Sequence, residues 1–138
     1  MKFFGRASMT SDIERDAFCE AVVPVILSNS MEAHFLASRF QSEFGLASVL
    51  CGEKRNILDL FAFNSSFLRL SLDDSRLTLE QLIDFSDTWR ECILVLVPVT
   101  NVSKVFVSQN REALESRFLI SENGRMDELP IIRPERWV

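Results

Sequence analysis

The chain contains no tyrosine, a single histidine, three cysteines, four glycines and four prolines in 138 residues, and each scarcity removes some chemistry. With twelve phenylalanines and two tryptophans but no tyrosine, the core relies on rings that carry no hydroxyl in need of a partner. The lone histidine, His34, has no second imidazole to join it in holding a metal. Its neighbours Ala33, Phe35 and Leu36 place it in the first turn of a helix. Cys19, Cys51 and Cys92 are odd in number, widely spaced and free of any C-x-x-C pair, which suggests neither a disulfide framework nor a zinc site and fits a reducing, cytoplasmic setting. The longest apolar run, Cys92 to Val99, has the length of a strand, well short of the ~20 residues that cross a bilayer. Met1 to Arg6 lacks a signal-peptide core. Neither G-x-G-x-x-G nor G-x-x-x-x-G-K-[ST] occurs, which disfavours dinucleotide and P-loop readings.

Basic charge in excess is also lacking. The formal charge of -5 and pI near 4.9, with the basic residues scattered, argue against a nucleic-acid partner, which needs a clustered Lys/Arg face. What is present is an ordinary globular mixture, 47% hydrophobic and 25% charged, long enough for one core and cramped for two. The chain divides into a lead-in segment (1–20), an α/β domain (21–121) and a tail or linker (122–138) marked by Asn123-Gly124, Pro130 and Pro134.

Within the domain, strand and helix signals alternate. Ala21 to Leu27 is a continuous β-branched run, the mark of a strand covered on both faces; Pro24 argues for a place at an edge or a start. Ala33, Leu36, Ala37, Phe40 and Phe44 describe one helical face, with Gly45 as its stop. Leu46 to Cys51 reads as a second strand, and Gly52 to Ser66 as a loop with a short helix. Phe67 to Leu72 alternates as an edge strand does. Thr78 with Gln81 resembles a capping box that opens a helix to about Arg90. Cys92 to Val99 reads as the covered middle strand. Val102, Val105, Phe106, Ala113 and Leu114 fit a third helix capped by Asn101 and interrupted near Asn110-Arg111, and Phe118 to Ile120 a last strand. The economical architecture is a three-layer, doubly wound, mostly parallel sheet of about five strands, Rossmann-like, with ligands at the carboxyl ends of its strands.

That rule directs attention to two turns. Ser28, Asn29 and Ser30 follow the first strand and offer backbone N–H groups at a helix N-terminus, although simple N-capping by Ser28 or Ser30 explains them as well. Thr100 and Asn101 follow the central strand and can donate and accept hydrogen bonds there, again with capping as the plain explanation. Asp73-Asp74 reads as a complement to a helix dipole rather than a cation site. Cys51 stands at a strand end with no histidine nearby in sequence to activate it. No nucleophile with a base, no metal set and no phosphate loop emerges, so the expected catalytic residues are none.

The order of segments nevertheless resembles a known family. Val23-Pro-Val-Ile-Leu, a short turn, Ala33 to Gly45 and Ser48-Val-Leu-Cys-Gly, then Val95-Leu-Val-Pro-Val-Thr-Asn and the helix with Ser108-Gln-Asn-Arg-Glu-Ala-Leu, are similar to the N-terminal pre-ATP-grasp domain of carboxylate–amine ligases such as D-aspartate ligase and the carbamoyl-phosphate-synthase group. The resemblance covers roughly residues 21 to 121. It implies the substrate-side domain of an enzyme in which ATP activates a carboxylate as an acyl phosphate and an amine attacks it. ATP and Mg²⁺ would belong to an ATP-grasp domain or subunit, the implied partner, and this chain alone would bind no cofactor. Ser28, Asn29, Ser30, Thr100 and Asn101 would shape the substrate pocket. Two departures stand out: Ser28 replaces the family's usual glycine, and the tail does not lead toward the expected lysine-bearing helix, as in a truncated or degenerate copy. The alternative from the residues alone is a stand-alone metabolite-binding or protein-interaction module of the same fold, with homo-oligomer formation left open and no membrane partner.

Overall fold

The β-branched run after Ala21 forms β1 (Val22–Ile26), buried along its whole length. Ser48–Gly52 forms β2, equally buried, followed by β3 (Ser65–Arg69), β4 (Ile93–Val97) and the two-residue β5 (Leu119–Ile120). The computed structural model describes residues 22–61 and 65–121; the lead-in and tail segments lie outside the described residues. All pairings are parallel and the strand order is β3-β2-β1-β4-β5. A parallel sheet must be covered on both faces, and the alternation along β1 serves that need. Val22 and Ile26 pack with Ala33, Ala37 and Phe40 of helix α1 (Met31–Phe44) on one face. Val23, Val25 and Leu27 pack on the other with Leu82, Phe85 and Trp89, which belong to or end helix α2 (Ser75–Thr88), and with Phe106 and Val107 of α3 (Asn101–Gln109). A short α4 (Arg111–Glu115) adds Leu114. Three layers result, a Rossmann-like α/β fold. No helix among the described residues is long and apolar enough to cross a membrane.

Several local expectations need correction. Pro24 lies inside β1, the middle strand, rather than at an edge or start. It is tolerated because β1 pairs with β4 from Val22 onward but with β2 only from Val25. Alternate residues of a parallel strand address alternate neighbours. Since the Leu27 N–H donates to the Val97 carbonyl, Pro24 faces the β2 side before pairing has begun there. The expected middle strand, β4, is instead the fourth of five. The edge strand β3 starts and ends earlier than Phe67 to Leu72, because Ser71 is drawn into the turn that opens α2. That helix begins at Ser75 with Asp74 as N-cap, accepting from the Leu77 N–H at 3.2 Å. Thr78 is not the cap; it lies buried in the first turn and donates to the Ser71 and Asp74 carbonyls, while Gln81 accepts from the Ser71 N–H at 2.8 Å. On α3 the buried positions are Ser103, Phe106 and Val107, leaving Val102 and Val105 exposed, and the cap is Thr100 rather than Asn101.

Helix α1 ends where its glycine predicts. Gly45 adopts φ 70 and its N–H donates back to the Gln41 carbonyl at 2.9 Å. An added Cβ there would meet nothing within 4 Å, so Gly45→Ala isolates the backbone penalty of the left-handed conformation. The expected loss is about 1 kcal/mol, read as a lower denaturant midpoint with an unchanged m-value.

Candidate functional site

Strand order reverses between β1 and β4: from β1 the chain steps outward to β2 and β3, then returns to β4 on the other side. At such a reversal the loops leaving the two strands diverge and open a crevice at the carboxyl edge. The Ser28–Ser30 loop and the Thr100–Asn101 loop leave these adjacent strands, which stay paired up to Ile26↔Val97 and the bond from Leu27 N–H to Val97. The structure therefore brings all five sequence-predicted residues to one edge of the sheet.

Most of their polar atoms are already committed. Ser28 is buried; its hydroxyl accepts from the Ser30 N–H at 3.0 Å and bonds the Ser30 hydroxyl at 2.9 Å. Ser30 caps α1 by accepting from the Ala33 N–H at 3.3 Å. Thr100 and Ser103 form a reciprocal capping box at the start of α3, with Ser103 N–H donating to Thr100 Oγ1 at 3.1 Å and Thr100 N–H to Ser103 Oγ at 3.0 Å. Asn101 is the exposed first residue of that helix.

Asn29 points away from this pair of caps and into a network that the sequence reading missed. Its Nδ2 donates to Asp59 Oδ2 at 2.9 Å and to the Lys54 carbonyl at 3.0 Å. Asp59 sits in a 3-10 turn (Ile57–Phe61), and its side chain is only 4% exposed. A carboxylate so nearly removed from water must be met by donors. Three converge on it: His34 Nε2 at 2.8 Å, Asn29 Nδ2, and the Asn56 N–H at 2.7 Å. An ionised carboxylate only accepts, so the His34 ring carries its proton on Nε2. Asn56 completes the closure by donating from Nδ2 to the Asn29 carbonyl at 2.8 Å. The 53–61 segment is thus stapled to the β1 turn and to the first turn of α1. A further hold is Arg55, whose guanidinium lies 5.3 Å from the Phe67 ring centroid on β3.

One sequence signal could have revealed the hub. Asn56 and Asp59 stand three apart and bond reciprocally, Asp59 N–H to Asn56 Oδ1 at 3.1 Å and Asn56 N–H to Asp59 Oδ2, which is capping-box logic in a short turn. Gly52 is the other enabling residue. A Cβ on it would lie 2.7 Å from Asn29 Oδ1, so only glycine at the end of β2 lets Asn29 reach across to Asp59.

The arrangement positions loops, and its polar groups are engaged with one another. The Ser28 and Ser30 hydroxyls serve the turn, His34 serves Asp59, and Cys51 is fully buried in β2, where loss of water pushes its thiol far above the ordinary range. Asp74 acts as a helix cap. No group of three or more His, Cys, Asp or Glu side chains suited to a metal occurs among the described residues.

Two outcomes follow. Gly52→Ala forces Asn29 off Asp59 and destabilises the fold, whereas on an Asn29→Ala background the same change costs less; the double-mutant cycle should show a coupling of about 0.5–3 kcal/mol by denaturant unfolding. Native-state alkylation with iodoacetamide should spare Cys51, with modification appearing at that residue only after unfolding, as peptide mass mapping will read.

Comparison of the chain with protein-family models, with curated proteins and with solved structures finds no match in any of the three.

Proposed function

We propose that this domain is the substrate-side, pre-ATP-grasp-like part of an ATP-dependent carboxylate–amine ligase. The observation that carries the reading is the switch point between β1 and β4, flanked by two polar turns whose side chains are fixed before any ligand arrives. A pre-set wall of this kind suits orientation of a small polar substrate, since groups held in place lose little freedom when it binds. The ordered resemblance of residues 21 to 121 to such domains supports the same reading.

This chain's turn does not fit ATP itself. The first turn has no glycine, Ser30 Oγ occupies the Ala33 N–H, and Asn29 fills the space over Gly52. Nucleotide and Mg²⁺ would therefore be held by an ATP-grasp domain or subunit, which activates the carboxylate when bound. In this reading Ser28, Asn29 and Ser30 line one side of the substrate pocket and Thr100 and Asn101 the other. Asn101 is the contact residue, its side chain being exposed at the head of α3, and Asp59 with His34 keeps the opposite wall in place.

The test is reconstitution. The chain is combined with ATP-grasp catalytic subunits, and ADP release is followed together with amide product. Carboxylate-dependent turnover that requires both proteins is expected. Asn101→Ala should raise KM for the carboxylate roughly 3- to 10-fold with kcat nearly unchanged, the signature of a lost hydrogen bond made equally in ground and transition states. Absence of association with any ATP-grasp subunit, or turnover indifferent to this chain, would overturn the reading.

A further inference from the structure

Strand β3 is the outermost strand on the β2 side of the sheet, and beyond it stands no described strand. The Leu70 N–H donates to the Gly52 carbonyl at 2.9 Å, which fixes the residues that look inward. Main-chain groups alternate sides along a strand, so Ser66, Leu68 and Leu70 address β2, while the N–H and carbonyl of Ser65, Phe67 and Arg69 point out of the sheet. No hydrogen bond joins these outward groups to another described residue. A row of unmatched donors and acceptors is a template for one more strand. Beside this edge the α2 face is hollow. A cleft of about 360 Å³ lies between β3 and α2, with Val49, Phe85 and Trp89 as its apolar floor and Ser66, Gln81 and Asp84 on its flanks. Ser66 and Leu68 register with Val49 and Cys51, which belong to the core on that face, so both side chains turn toward the cleft.

We propose that the added strand is β3 of a second copy of this chain, running antiparallel about a two-fold axis at Phe67. In that register Phe67 exchanges both main-chain bonds with the partner's Phe67, and Ser65 exchanges both with the partner's Arg69, so every outward group is matched. The same register sets the partner's Leu68 opposite Ser66 and over the cleft, where a leucine side chain leaves water against Phe85 and Trp89. The strand is thus its own complement, because its short and its long side chain on the α2 face stand equally far on either side of Phe67. Charge agrees with shape. Arg69 is the only charged residue of β3, and it falls opposite a serine. Other registers fail: an axis at Ser66 or Leu68 would call on groups that β2 already uses, and one at Arg69 would oppose two like charges. Five residues a side make a small interface, so association is reversible, with a dissociation constant in the micromolar range. The axis lies two strands from β1, which leaves the switch point open in the dimer.

The test is sedimentation equilibrium of the full chain, with two kinds of variant. A monomer–dimer equilibrium is expected. Arg69→Pro removes an outward donor and no bond to β2, so it should raise the dissociation constant about tenfold or more while the circular dichroism of the monomer stays unchanged. Register is read by oxidation. In the Phe67→Cys variant the two introduced thiols face each other with Cα atoms about 5.5 Å apart, within disulfide reach, and peptide mapping should find them joined. In Arg69→Cys they stand roughly 13 Å apart, and no such bridge should form. A chain that remains monomeric up to about 1 mM would overturn the proposal. So would dimers that Arg69→Pro leaves intact, or that cross-link as readily at position 69 as at 67, since either result places the contact elsewhere.

Discussion

A carboxylate placed where water barely reaches sets the geometry of the carboxyl edge. Asp59 is held in place by three donors contributed by α1, by the β1 turn and by the backbone of its own loop. The turn and α1 donors lie 30 and 25 residues from Asp59 in sequence. Because an unmet carboxylate is costly and a met one is favourable, all three donors help to hold Asp59 in place. Closure fixes Asn29, and with it the backbone of the first turn; Gly52 matters because it leaves room for that reach. The β1 side of the switch point is therefore held by a tertiary contact, the β4 side by the local capping box of Thr100 and Ser103.

This difference explains what could be read in advance. The strands and helices that depend on burial were legible: the apolar runs of β1, β2 and β4, the face Ala33-Ala37-Phe40, and the glycine stop at Gly45 all report a local period or a local cap. The misreadings arose where a residue answers to a distant neighbour. Pro24 argued for an edge because its sequence cannot show that β2 pairs only from Val25. Thr78 looked like a cap because Ser71, whose carbonyl it bonds, belongs to the preceding turn. Val102 and Val105 fitted a helix on periodicity, yet the sheet selects the adjacent face of α3 for burial. The five loop residues at the switch point were legible from chain order and fold class. Asp59 was not, since its partners His34 and Asn29 lie 25 and 30 residues away.

The two faces of the carboxyl edge serve different ends. On the α1 face, polar side chains saturate one another, with Asn29, His34 and the Asn56 amide all ending on Asp59. On the α2/α3 face, apolar side chains remain in water beside an acidic rim, a surface that gains by being covered. Both faces take their geometry from the same parallel sheet, whose strands deliver the loops that follow them to one edge.

Hydrogen exchange at the Asn56 amide tests the central claim most directly, because that N–H ends on the Asp59 carboxylate and on no secondary structure. In the native chain it should exchange slowly, and Asp59→Ala should speed it by at least about tenfold while amides of β1 and β4 keep their protection. Unchanged Asn56 exchange in the variant, with the β1 turn still ordered, would contradict the assignment of Asp59 as the residue that holds this edge together.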